Sequence, residues 1–167
     1  QLISIYESLM QFGQPLGLQD FGTRAFNSMR MEKMYRAYGA EFTEEISALE
    51  AGMDRFLDLS RHFIGSENLL QRQTVGLSMQ LAYLVFDDQI PAECFGNEAV
   101  FANGDHSGII TGGAYGYRVE KSLAFAYLKP EHCKAGQALT VETSVGTRHC
   151  HVEVDSAYNP NNSLLRS

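Results

Sequence analysis

No stretch of this sequence approaches the roughly 18 consecutive apolar residues of a membrane span, and no charged-then-apolar signal opens it. Positive charge is also scarce: 13 Lys and Arg stand against 20 Asp and Glu, for a formal charge of −7. That average field repels phosphate backbones and anionic lipid surfaces, so neither nucleic acid nor membrane is expected as a partner, and the chain reads as soluble. Cysteine is sparse and odd in number, with Cys94, Cys133 and Cys150 widely spaced and no CxxC pair. Such usage argues against a zinc or redox centre and fits a reduced compartment, the cytoplasm or, in a eukaryote, the mitochondrial matrix. An initiating methionine is missing too. Leu2, Ile5, Tyr6, Leu9 and Met10 already recur at helical spacing from the first residue, so the chain reads as a fragment.

What is present is globular. The 167 residues are 44% hydrophobic and 20% charged, enough to hide roughly 70% of the unfolded surface in one or two compact units. The first helix should stop near Gly13, because Gly13, Pro15 and Gly17 follow in alternation. Asp20 can cap a second helix running to about Tyr38, with Gly39 as its stop. A connecting stretch with short helices follows, in which Ser66 could cap the last and Leu69 and Leu70 pack inward. From Leu77 the pattern changes to β-rich runs over 77–86, 99–103, 106–117, 122–129, 138–145 and 148–156, parted by turn signals such as Asn103-Gly104-Asp105. Helices followed by six short strands predict a segregated α+β fold: helices over 1–45, a connection over 46–75, and a small antiparallel β-barrel or sandwich over 76–167.

On the second helix, Arg30, Lys33 and Arg36 share one arc and read as a solvated face. Arg24 points nearly the opposite way, toward Phe21, Ser28, Met31 and Tyr35. There an unpaired guanidinium is costly, which leaves two readings open: a structural carboxylate or a bound ligand. His149 and His151 alternate around Cys150 and could face one side of a strand, but two ligands are too few for a metal, so the histidines read as exposed and the cysteine as core. No histidine forms a recognisable triad with a serine or cysteine nucleophile. Thr111-Gly112-Gly113-Ala114-Tyr115-Gly116 lacks the Walker lysine; glycines inside a β run mark a bulge or close backbone approach, with Tyr115 and Tyr117 covering the gap.

The run Phe21-Gly22-Thr23-Arg24-Ala25-Phe26-Asn27-Ser28-Met29-Arg30-Met31-Glu32-Lys33-Met34-Tyr35-Arg36 resembles the FGxRAxNSxRxEKxYR stretch of dimethylglycine and sarcosine dehydrogenases. Leu49-Glu50-Ala51-Gly52, Phe63-Ile64-Gly65 and Gly96-Asn97-Glu98 continue the order. Thr111–Tyr117 with Lys121-Ser122-Leu123-Ala124-Phe125-Ala126-Tyr127 resembles the TSGxYGHxxxKSLAxxY segment of a C-terminal barrel, and Tyr158-Asn159-Pro160-Asn161-Asn162 a closing YDPxN. The chain thus resembles the C-terminal part of the glycine-cleavage T-protein (aminomethyltransferase) family. It departs from the pattern at Gly112 (usually serine), at Glu120 (often glycine) and at Ser163 (near an aromatic).

The resemblance implies a tetrahydrofolate site at the centre of a three-part assembly, with Arg24 in the folate-binding region and Tyr38 and Tyr115 as pocket walls. The family's acid–base aspartate and pterin-holding glutamate would lie upstream of Gln1, so no catalytic residue and no metal ligand is expected here. The implied parent is the folate part of a demethylating dehydrogenase acting on a small methylated amine, with FAD only in an upstream domain. The alternatives are a stand-alone aminomethyl- or methyltransferase, or demethylase, and a non-catalytic folate-binding paralogue.

Overall fold

The computed structural model describes residues 1–166; the expected barrel region ends on Ser167, which lies outside the described residues. Three helices, α1 (Leu2–Gly13), α2 (Thr23–Glu32) and α3 (Ser66–Val75), precede six strands: β1 (Gln80–Phe86), β2 (Ala99–Ala102), β3 (Asp105–Gly116), β4 (Lys121–Leu128), β5 (Ala138–Thr143) and β6 (Gly146–Glu153). All six expected strands are present, and the α+β class holds. The strands pair antiparallel in the order β1-β4-β3-β2-β5-β6, and β6 returns to β1 through Tyr83↔Glu153 to Phe86↔Cys150, which closes a barrel.

The apolar runs of β1 and β4 are continuous because both strands are covered on both faces. Ala82, Leu84 and Phe86 of β1 and Ala124, Ala126 and Leu128 of β4 point into the barrel, where they meet Val100, Ile110, Val141 and Val152. The residues between them, Leu81, Tyr83, Val85, Leu123, Phe125 and Tyr127, form a second core with Met31 of α2. A six-stranded barrel is narrow inside, which suits the alanines at 82, 124 and 126. The loop between β1 and β2 is fastened over one end by buried Arg148. Its Nε and Nη2 donate to the two carboxylate oxygens of Asp88 at 2.9 and 2.6 Å, while Nη1 and Nη2 also reach the carbonyls of Ala92 and Ile90.

Three local expectations fail. α2 is shorter at both ends: Gly22 is its N-cap, and Asp20 instead accepts a hydrogen bond from the Tyr6 hydroxyl. The helix stops six residues before Tyr38 because Met34 turns left-handed at φ +57, and the N–H groups of Tyr35 and Met34 close back on the carbonyls of Arg30 and Met31. Ser66 is the first residue of α3 rather than its cap, its Oγ accepting from the Phe63 N–H. Leu70 is exposed and Leu69 only partly buried, so α3 does not carry the inward stripe its leucines suggested.

Candidate functional site

Most polar side chains of α2 are spent on holding the helix to the barrel. Asn27 Nδ2 donates to the Gly113 carbonyl at 3.0 Å and Ser28 Oγ to the Tyr115 carbonyl at 2.7 Å. Glu32, buried, accepts from the backbone N–H groups of Arg118 and Val119. The glycines of β3 permit this approach: a Cβ on Gly116 would lie 2.8 Å from Glu32 Cγ, and one on Gly113 would lie 2.6 Å from the Leu123 carbonyl oxygen. A register shift between Ile110 and Gly112 marks a bulge here, as expected of a glycine-rich strand.

The solvated face expected of Arg30, Lys33 and Arg36 does not exist. Arg30 is nearly buried and donates from Nη1 to Glu41 Oε2 at 2.9 Å and from Nε to Asn27. Glu41, fully buried, also accepts from Thr111 Oγ1 and the Ala37 N–H. Lys33 Nζ spends its three protons on the carbonyls of Tyr158 and Asn159 and on Asn162 Oδ1. Arg36 is half-buried, with its guanidinium carbon 6.0 Å from the centre of the Phe125 ring. Glu32 and Glu41 are the acceptors that sequence reasoning missed. Neither has a spacing that marks a carboxylate for burial; only membership of Glu32 in the long α2 motif singled it out.

Arg24 is the exception. Its side chain is 84% exposed and its nearest carboxylate, Glu93, stands 3.8 Å away. It lines an open cavity of about 430 Å³ with Ser28, Met29, Glu32, Tyr117 and Arg118. Of its expected neighbours, Ser28 and Met31 are buried against the barrel, while Phe21 and Tyr35 are exposed. Tyr115 is partly buried behind the same helix and packs edge-on against Tyr117, their ring centres 5.2 Å apart. Tyr38 is 78% exposed and lies outside the lining of this cavity. The structure thus brings Arg24 and, through Tyr117, Tyr115 to one region, and leaves Tyr38 apart.

Other groups have structural surroundings. His149 is exposed and Cys150 is core, as read from their alternation, whereas His151 is only partly exposed and meets Asp87 at 2.6 Å. Burial pushes the Cys94 and Cys150 thiols up to about 12 and Cys133 to about 11. Thiols held that far above neutrality are not nucleophiles. Glu120 occupies a left-handed turn at φ +56, which explains why a glycine suits that position.

The comparisons with known proteins agree with this architecture. The profile of the GCVT N-terminal domain matches residues 1–61, and that of the glycine cleavage T-protein C-terminal barrel domain matches residues 72–158. The chain belongs to the glycine cleavage T-protein family. Mitochondrial dimethylglycine dehydrogenase of Mus musculus is 41% identical over 142 residues, 83% of this chain but 16% of that protein. The mitochondrial pyruvate dehydrogenase phosphatase regulatory subunit of Mus musculus is 28% identical over 160 residues, 93% of this chain and 18% of its own length. The matched region therefore spans less than a fifth of these curated relatives. The crystal structure of glycine cleavage system aminomethyltransferase T from Bartonella henselae shares the fold, with a TM-score of 0.82 at 17% identity over 94% of this chain and 44% of that one. Among the described residues no helix is long and apolar enough to cross a membrane.

Proposed function

We propose that this chain is the C-terminal piece of a tetrahydrofolate-dependent one-carbon-transfer enzyme, the folate part of a dimethylglycine or sarcosine dehydrogenase-like protein. In this reading residues 1–45 are the end of the folate-binding domain, 46–75 the connection and 76–167 the barrel. The observation that carries it is the contrast along α2: Asn27, Ser28, Arg30, Glu32 and Lys33 all have partners within the fold, whereas Arg24 stands in an open cavity with only a long contact to Glu93. A guanidinium so exposed, with only a long contact to a carboxylate, suits an anionic ligand.

Moving a carbon from an iminium or aminomethyl donor to a folate nitrogen requires that the nucleophile be positioned and its proton managed. Arg24 can orient or neutralise but is always protonated, so it cannot carry the proton. Tyr115 supports the wall through Tyr117, and Tyr38 offers an exposed ring to whatever covers it. The acid–base aspartate and pterin-holding glutamate come from upstream sequence, and FAD from an upstream domain if the parent is a dehydrogenase. A small methylated amine is the donor and methylenetetrahydrofolate the product; the compartment is the cytoplasm or, in a eukaryote, the mitochondrial matrix, the relatives' names carrying the word mitochondrial.

Calorimetric titration of the full-length parent with a reduced folate tests this. Arg24→Ala should weaken binding by about 2 kcal/mol, roughly 30-fold; unaltered affinity sinks the assignment. The 167-residue chain alone should bind folate weakly and show no turnover. A second reading, a regulatory module without catalysis, is favoured by the likeness to the phosphatase regulatory subunit. Lack of the upstream aspartate in the parent would select it.

A further inference from the structure

The second large concavity lies at the other end of α2, where the chain leaves the helix. It measures about 450 Å³ and is lined by Lys33, Arg36, Arg55, Phe42, Phe56 and Asp155, among others. Its charge is unbalanced, with three cations against one carboxylate. Lys33 is already satisfied by three oxygens. Arg55 is exposed, with its guanidinium carbon 4.5 Å from the centre of the Phe56 ring.

Arg36 is the group without an account. Its Nε is buried and, among the described residues, has no hydrogen-bond partner, and no carboxylate lies within ion-pairing distance of the side chain. A buried, unsatisfied donor on a cation is costly and calls for an acceptor. Burial, and after it the like charge of Arg55, lower the Arg36 pKa against the weaker opposing pull of Glu41 and Asp54, and a bound anion would add to that pull. Space is reserved as well: a Cβ on Gly52, itself at φ +63, would stand 3.1 Å from Arg36 Nη2. The Leu49-Glu50-Ala51-Gly52 motif therefore keeps this guanidinium unobstructed.

We propose that this cavity is a binding site for a small oxyanion, a carboxylate or phosphate group, held by the guanidinium of Arg36 and neutralised in part by Arg55. The planar fork of a guanidinium matches two oxygens of such a group, which a halide cannot offer. Phe42, Met53 and Phe56 supply apolar walls that strengthen the contact. The site is independent of the folate reading, since Arg24 is not part of its lining.

Titration of the full chain with acetate, inorganic phosphate and chloride at matched ionic strength, followed by the amide shifts of residues 52–56, decides the matter. Saturation by acetate or phosphate on the order of millimolar is expected, with chloride inert. Saturation by acetate alone points to a carboxylate ligand and by phosphate alone to a phosphorylated one. Arg36→Met should weaken binding about tenfold or more. Should that variant not fold, Arg55→Met, at an exposed position, should weaken it several-fold. Equal response to chloride, absence of saturation, or unchanged affinity in the folded variants overturns the proposal.

Discussion

Helices α1 and α2 are of similar length, 12 and 10 residues, yet they live by opposite rules. α1 is apolar and buries nothing: Leu2, Ile3, Leu9 and Phe12 are all more than 60% exposed. α2 is rich in charge and lies against the barrel, with Ser28, Met31 and Glu32 buried. Hydrophobic content therefore does not decide which helix is docked. Directional partners do: α2 offers donors and a carboxylate that β3 and the 157–162 segment answer, and α1 meets no such set. A 12-residue helix without tertiary support is marginal in water, so α1 is the segment that needs cover.

The contrast breaks most sharply at Glu41. Glu41→Ala would strand the nearly buried Arg30 guanidinium and should cost about 3–5 kcal/mol in urea unfolding of the chain; a loss below about 1 kcal/mol would mean that the charged latch does not hold α2. Ser28→Ala leaves the Tyr115 carbonyl without its donor and should cost about 1–2 kcal/mol by the same measurement. The Arg148–Asp88 latch adds a pH axis. Asp88 is held below the usual carboxylate range, first by its hydrogen bonds from Arg148. Its folded pKa is thus lower than its unfolded pKa, about 3.9. Its contribution is complete above that value and disappears as pH falls through the folded pKa. Asp88→Asn should flatten the acid limb of a stability–pH curve, and an unchanged limb would remove this latch from the account. The smallest effect belongs to α1: Leu9→Ser should shift stability by no more than about 0.5 kcal/mol. Hydrogen exchange should find α1 amides near the unprotected rate while those of α2 are slow; equal protection would erase the difference between the two helices.

Much of the barrel was legible because alternation and turn chemistry are local. The runs around Leu81–Phe86 and Leu123–Leu128 announce strands, and Asn103-Gly104 announces the hairpin between β2 and β3, both of its residues at positive φ. Helix α2 was legible as a helix but not in its ends, since a methionine at a left-handed C-terminal position has no sequence signature comparable to the glycine expected at 39. The charges were misread for a different reason. Arg30 finds its carboxylate 11 residues away and Lys33 its acceptors 125 or more away, so a helical wheel could show only that they share an arc. The face of Arg24 left a structural carboxylate and a bound ligand both open, and only the resemblance turned it toward a ligand; the neighbours that shape its cavity, Glu93, Tyr117 and Arg118, come from loops that no periodicity assigns.

Barrel closure also sets the order in which this chain can be finished. β1 hydrogen-bonds to β6, the last of the six barrel strands in chain order, and Lys33 is held by atoms of Tyr158, Asn159 and Asn162. On a ribosome the seam cannot form until β6 has emerged, nor the Lys33 clasp until Asn162 has. The early apolar strands must wait with their edges open, exposed to a neighbouring nascent chain. Truncation before residue 150 would remove the half of β6 that pairs with β1 and leave β1 as a permanent edge, so an interrupted product should be recognised by its stickiness rather than by its loss of activity.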